Sequence, residues 1–399
     1  MTMKIQDPVV IVGMARTPMG GFQGSLSALS APQLGAQAIA AAVQRSGVPT
    51  EAVDAAFFGC VLSAGLGQAP ARQAALAAGL STATPCTTVN KMCGSGMQTV
   101  MLAHDALLAG SAGVVVAGGM ESMSNAPYLL DKARQGYRMG HQQVRDHMFL
   151  DGLEDAYDKG RLMGTFAEDS AADYGFSRQQ QDDFAERSLQ RACQAINSGV
   201  FDSEITPVTV KSRNGEVSVS QDEQPPRADP AKIRALRPAF REDGTITAAN
   251  ASSISDGAAA LVLMRQSEAR IRGLQPLAIV HGHSSHAAEP HLFTTAPVGA
   301  INALMQRTGW NLEQVDLFEI NEAFAVVTLI AMQELQLDPE RVNVHGGACA
   351  LGHPIGASGA RILVTLINAL QQRKQRYGVA AVCIGGGEAT AMAIELCQV

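Results

Sequence analysis

Cys93 sits where a thiol could act as a nucleophile. It interrupts the run Thr88-Val89-Asn90-Lys91-Met92-Cys93-Gly94-Ser95-Gly96-Met97, in which a β-prone stretch stops, the cysteine follows and two glycines open an apolar pattern. Met97, Val100, Met101, His104, Leu107 and Leu108 recur at helical spacing, which predicts a helix beginning just after Cys93. A thiol at a helix start feels the positive end of the macrodipole, which favours the thiolate. The glycines let a substrate carbonyl approach the backbone and leave N–H groups free to hold an oxyanion. Strand, turn, nucleophile and helix in that order have the logic of a nucleophile elbow. A small buried core cysteine is the plainer use of the same residue.

Three further motifs lie near the other end of the chain. Asn321-Glu322-Ala323-Phe324 falls where a strand runs into a helix. The glycine-rich run Gly346 to Gly359 holds His353 between Gly352 and Pro354, in what reads as a stiff, exposed loop. Cys383-Ile384-Gly385-Gly386-Gly387 ends a Val/Ala strand. A histidine beside a helix-start cysteine can take its proton, a second cysteine can move a proton to and from carbon or sulfur, and an asparagine can hold a water or an oxyanion. Taken singly, His353 would be a loop histidine, Cys383 a core residue and Asn321 a helix cap. All four break regular structure at strand ends, which points to one shared site.

The elements that must position these residues form a duplicated pattern. Pro8-Val9-Val10-Ile11-Val12 resembles Pro276-Leu277-Ala278-Ile279-Val280, and Val53 to Phe58 resembles Val315 to Ile320. Val89-Asn90 before its glycine turn resembles Val342-Asn343 before its own, and Gly113 to Gly119 resembles Gly378 to Gly386. The order is the same in both copies, so the chain carries a duplicated α/β unit rather than a short-period repeat. Short Val/Ile runs alternating with amphipathic helices predict a largely parallel, mixed sheet covered by helices. Between the copies the chain is more charged and irregular. It contains one clear helix from Ser177 to Asn197 with Ser177 as N-cap. Thr245 to Ser252 reads as a small-residue strand into a turn.

Composition narrows the function classes. A chain of 399 residues exceeds one core, and 46% hydrophobic with only 5% aromatic residues suits tight packing of small side chains. A net charge of −7 argues against nucleic acid as a partner. The seven cysteines are scattered without a C-x-x-C pair, which disfavours disulfides and zinc and predicts reduced thiols in a cytoplasmic setting. No signal-peptide core or membrane-length apolar run is present in the sequence.

Taken together, the four motifs, with Asn250-Ala251-Ser252 and Asp256-Gly257-Ala258-Ala259, resemble the thiolase family over nearly the whole chain, nearest its acetyl-CoA acetyltransferase branch. The resemblance implies an α/β fold of two βαβαβαββ halves in a five-layered core with an inserted loop domain. It places residues 1–123 and 255–274 in the first half, 124–254 in the loop domain and 275–399 in the second half. It implies reversible condensation of two acetyl-CoA to acetoacetyl-CoA and CoA, or thiolysis of short 3-ketoacyl-CoA. By the resemblance Cys93 is acylated, His353 activates it, Cys383 is the acid/base and Asn321 positions a water. The N–H groups of Cys93 and Gly385 then form an oxyanion hole. Ser252, Ala323 and Phe324 lie along the pantetheine arm, Met163 lines the acyl pocket, and Arg227 maps loosely to the adenine end. No permanently bound cofactor or metal is implied: coenzyme A and acyl-CoA are the substrates. The assembly implied is a homodimer or homotetramer.

Two departures bear on chain length and the glycine turn. Leu162-Met163-Gly164 stands where that branch usually has His-Met-Gly, and Glu388 follows the glycine turn where a small or amide residue is usual. Leu162 keeps a broader-chain degradative 3-ketoacyl-CoA thiolase as an alternative. A decarboxylating 3-oxoacyl synthase would carry histidine in place of Cys383. A non-catalytic acyl-CoA binding protein would not need Cys93, His353, Cys383 and Asn321 together.

Overall fold

The computed structural model describes residues 7–212 and 215–397. Strand Val9–Arg16 is buried at every position, so it carries a continuous apolar run instead of an alternating one and lies at the sheet centre. Outward on one side come Ser255–Arg265, Val114–Ser122, Ala55–Gly59 and Cys86–Val89. On the other come Ala278–Ala287, Glu388–Leu396, Tyr377–Ile384 and Leu317–Ile320. Within each half, starting from Val9–Arg16 or from Ala278–Ala287, the first two pairings are antiparallel and those further out are parallel. A parallel bridge from Phe318 to Val342 supplies the second half's counterpart of Cys86–Val89. Even the bulges correspond, with register shifts between Ile11 and Gly13 and between Val280 and Gly282. The two half-sheets join antiparallel through Val9 to Val280, Val10 to Ile279 and Ile11 to Ala278. They are therefore one hydrogen-bonded sheet rather than two separate ones.

Alternate residues of each strand face opposite helix layers, as the pleat requires. Val115 and Ala117 pack inward on helices Ser95–Ala109 and Ile355–Arg373, which lie between the two half-sheets. Val114 and Val116 pack outward with Ala31–Ser46 and Pro70–Ala77, and Phe318 and Ile320 pack outward with Ala296–Thr308 and Ala325–Glu334. This order of helices, half-sheet, helices, half-sheet, helices makes the five layers. Helix Ile355–Arg373 is buried from Ile355 to Leu370, as expected for a helix with protein on every side. It approaches Ser95–Ala109 through glycine: a Cβ on Gly359 would lie 2.4 Å from the Met97 nitrogen.

Between Ser122 and Ser255 the chain leaves the sheet. Helix Arg178–Asn197 forms as the sequence predicts. The Ser177 hydroxyl accepts the Gln180 N–H at 3.2 Å, and the Gln180 side chain accepts the Ser177 N–H at 2.8 Å. Thr245 to Ser252 is not a strand. The Glu168 carboxylate accepts the N–H groups of Thr245 and Ile246 at 2.8 and 2.9 Å, and Asn250 Oδ1 accepts that of Thr247, so side chains take the place of a partner strand. The buried Arg16 ties this segment to the first strand, with Glu204 at 2.5 Å and Asp222 at 2.6 and 2.9 Å. Among the described residues, no helix is long and apolar enough to cross a membrane.

Candidate active site

The turn into helix Ser95–Ala109 is braced from within. Met92 adopts a left-handed φ of +46°, its N–H donates to Asn90 Oδ1 at 3.0 Å, and the Ser95 hydroxyl accepts from Lys91 N–H at 2.8 Å while donating to the Met92 carbonyl at 2.6 Å. A non-glycine residue with this φ is uncommon and places local strain beside the thiol. A Cβ on Gly94 would lie 2.4 Å from Ile384 Cδ1. Glycine there lets the nucleophile turn press against the end of strand Tyr377–Ile384, which carries Cys383.

The helix start favours the thiolate, but burial opposes it. Burial pushes the Cys93 thiol up to about 11, although the N–H groups of Gly385 and of Cys93 itself point at the sulfur and oppose the shift. Desolvation outweighs the helix end because the macrodipole is worth only a fraction of a kcal/mol to about 2. Cys93 therefore needs a base.

His353 can serve, and it is buried rather than exposed. Its Nδ1 lies 2.5 Å from Ser358 Oγ, and that hydroxyl donates its single hydrogen to the Pro354 carbonyl at 2.9 Å. Nδ1 must then be the protonated nitrogen, which leaves Nε2 as a bare acceptor. Nε2 is buried and has no partner among the described residues. Burial draws the imidazole down to about 3, so it is neutral. Cys383 is also buried, and desolvation with the nearby Cys93 raises its pKa strongly.

Cys93, His353, Cys383 and Gly385 meet in one cavity of about 460 Å³. Leu162, Met163, Phe293, Ala323 and Phe324 make its apolar wall, and Ser252 lies on it. Helix Met163–Asp173 brings Met163 to the glycine turn, and Leu162 is its N-cap residue. No capping residue marks a helix start there. Ser252 N–H donates to the Ala323 carbonyl at 2.9 Å, which fixes the two along one side. Asn321 is buried just past strand Leu317–Ile320, does not itself line the cavity, and neither polar atom of its amide has a hydrogen-bond partner among the described residues. It is not a helix cap, since helix Ala325–Glu334 starts after Phe324. Arg227 stands apart in an adjoining outer groove of about 530 Å³, mostly exposed and ion-paired with Glu223. The groove and the cavity share Phe22, Gln224, Ala248 and Ser253.

Three supporting groups went unnoticed in the sequence. Ser358 and Ser95 are hidden in motifs dominated by glycine. Glu121 accepts N–H groups of Val61, Leu62 and Gly356 at 3.1, 3.1 and 2.9 Å, which fastens the helix that follows His353; burial raises it to about 7. Glu388, unexplained by sequence, forms an ion pair with Lys91. It thereby links the turn after Gly385 to the loop before Cys93.

The models of the thiolase N-terminal domain and the thiolase C-terminal domain match residues 9–267 and 274–396. The chain belongs to the thiolase family. This thiolase is 53% identical over 392 residues to acetyl-CoA acetyltransferase 2 of Arabidopsis thaliana, covering 97% of each chain. It is 51% identical over 388 residues to the acetyl-CoA acetyltransferase of Escherichia coli, covering 97% of this thiolase and 98% of that protein. Among solved structures, the Acat5 thiolase of Ascaris suum in complex with coenzyme A superposes with a TM-score of 0.92 at 43% identity. That match covers 98% of this thiolase and 100% of that chain. The acetyl-CoA acetyltransferase of Bacillus anthracis superposes with a TM-score of 0.95 at 42% identity, covering 98% and 99%. The thiolase fold implied by the sequence is thus the fold present.

Proposed function

We propose that this thiolase is an acetyl-CoA C-acetyltransferase that condenses two acetyl-CoA into acetoacetyl-CoA and CoA, and runs the reverse thiolysis, through an acyl-Cys93 intermediate. The meeting of Cys93, an unpartnered His353 Nε2, Cys383 and the Gly385 turn in one cavity carries the reading. Coenzyme A and its thioesters are the substrates.

In the first stage His353 Nε2 takes the Cys93 proton as the sulfur attacks the thioester carbonyl. The N–H groups of Cys93 and Gly385, already directed at the sulfur, hold the oxyanion. The leaving CoA thiolate takes its proton from Cys383, which leaves a Cys383 thiolate and a His353 imidazolium. In the second stage the thiolate removes a proton from the α-carbon of a second acetyl-CoA. The imidazolium and a water on the free Asn321 amide hold the enolate oxygen. The enolate carbon forms a bond to the acyl carbon, the bond to Cys93 breaks, and Cys93 recovers the proton from His353. Ser252, Ala323 and Phe324 flank the pantetheine arm, and Arg227 lies in the groove that would take the nucleotide end. We also propose assembly as a homodimer or homotetramer, supported by the exposed apolar residues Tyr128, Leu130 and Val144 on one pair of strands.

Incubation with acetyl-CoA or acetoacetyl-CoA, acid quench and peptide mass spectrometry tests the first stage. The acyl group belongs on Cys93; an acyl group on another cysteine with Cys93 free ends the assignment. Leu162 on the cavity wall favours a second reading in which 3-ketoacyl-CoAs longer than four carbons are accepted. One methylene in a pocket discriminates by roughly ten- to two-hundredfold. Comparing kcat/KM for four-, five- and six-carbon substrates in wild type and Leu162→His decides it. An unchanged profile means that Leu162 does not set chain length.

A further inference from the structure

His104 and Asp105, on the helix that follows Cys93, meet His283 on strand Ala278–Ala287 of the other half. Asp105 Oδ1 lies 3.1 Å from His104 Nδ1 and 2.9 Å from His283 Nε2, and one donor atom from each residue lies within 4.8 Å of the others. Both imidazoles are buried and their rings meet edge to face at 5.1 Å, so their positions are fixed. The Asp105 side chain is 56% exposed, which gives an ion a path in and leaves room for water. The two separations to the carboxylate, near 3 Å, suit edges of a tetrahedron around an ion bound at about 2 Å, and the two ring nitrogens lie within 4.8 Å of each other. Two imidazole nitrogens and a carboxylate oxygen suit borderline ions such as Zn²⁺ and Co²⁺ better than Mg²⁺ or Ca²⁺. The opposing charge is Arg307, which donates to the His283 carbonyl at 3.1 Å.

We propose that His104, Asp105 and His283 bind one divalent ion of the zinc–cobalt class, with solvent completing its shell. No step of acyl transfer uses these residues. The ion clasps the nucleophile's helix to the second half-sheet. In its absence the carboxylate accepts the two ring N–H groups; on binding, each ring carries its proton on the other nitrogen and presents the freed lone pair to the metal.

The test uses the full chain treated with chelator, with Cys93 alkylated so that the active-site thiol does not compete. Co²⁺ is titrated by visible ligand-field absorption and calorimetry, then displaced with Zn²⁺. We expect one ion per chain, nitrogen and oxygen ligation without a thiolate charge-transfer band, and a rise in Tm. Asp105→Asn and His283→Asn should each weaken binding by at least the roughly ten- to hundredfold that outer-shell partners alone are worth. They should abolish the Tm shift and, in metal-free protein whose Cys93 has not been alkylated, leave acyl transfer unaltered. Absence of binding, binding with a thiolate spectrum, or equal binding by folded Asp105→Asn overturns the proposal.

Discussion

Ser358 governs which nitrogen of His353 faces the cavity, because its own hydrogen is committed to the Pro354 carbonyl. Outer-shell partners of functional histidines are worth roughly ten- to hundredfold, so Ser358→Ala should lower kcat on that scale with KM little changed. Steady-state kinetics check this. A second outcome follows from burial. With His353→Gln removing the base, alkylation of Cys93 by iodoacetamide should climb with pH and still be rising near pH 10, since a thiol raised to about 11 forms thiolate only as pH approaches that value. A plateau near the ordinary thiol value of about 8.5 would mean that the sulfur is well solvated. Glu388→Gln should cost at most about fivefold in kcat, because partly exposed ion pairs contribute under about 1 kcal/mol. Exchanging the charges of Lys91 and Glu388 should restore activity. Cys93 and His353 stood out as candidates because each sits beside glycine where regular structure stops, whereas Cys383 lies inside strand Tyr377–Ile384 and stood out only through the glycine turn that follows that strand. Ser358 did not, since a serine in the first turn of a helix is ordinary until the ring beside it is seen. The upward shift of the Cys93 thiol was hidden for a related reason: a helix start is visible in sequence, and burial is not.

At the level of elements, the two central helices owe their contact to glycine. Gly359→Ala would set a methyl against the Met97 backbone, which cannot swing aside as a side chain can. Overpacking costs about 1–3 kcal/mol. Urea unfolding should show a loss in that range, with acylation impaired because the same helices carry Cys93 and His353 at their starts. The helix after Cys93 and the capped helix after Ser177 could be read from apolar spacing and capping residues. Helix Met163–Asp173 could not, because it opens on Met163-Gly164-Thr165 after an N-cap leucine, with neither proline nor a side-chain cap to mark its start. Thr245 to Ser252 looked like a strand by residue type, but β-propensity needs a partner, and Glu168 supplied one from a distant part of the chain.

Over the whole molecule, the inserted segment is held to the sheet by a charge cluster with no access to water. Removing Arg16, as in Arg16→Met, leaves Glu204 and Asp222 without their cation in the interior. The expected loss is about 3–5 kcal/mol, measured by denaturant unfolding. The duplication itself was visible in paired segments such as Val9 to Val12 and Ala278 to Val280. The seam that fuses the copies was not visible, because nothing in an apolar strand names its hydrogen-bond partner. That seam has a consequence for synthesis on the ribosome. Strand Val9–Arg16 emerges early, yet both of its neighbours lie beyond residue 254. Until Arg265 has been made, the nascent chain holds an apolar strand with two open edges, the state in which strands recruit other chains. The second half waits with one edge rather than two, because Ala278–Ala287 can pair at once with Val9–Arg16 while its other partner, Glu388–Leu396, is made last. The first half is synthesised first but can close its sheet only once Arg265 has been made, a long-range closure of the kind that slows folding and leaves a chain prone to aggregation.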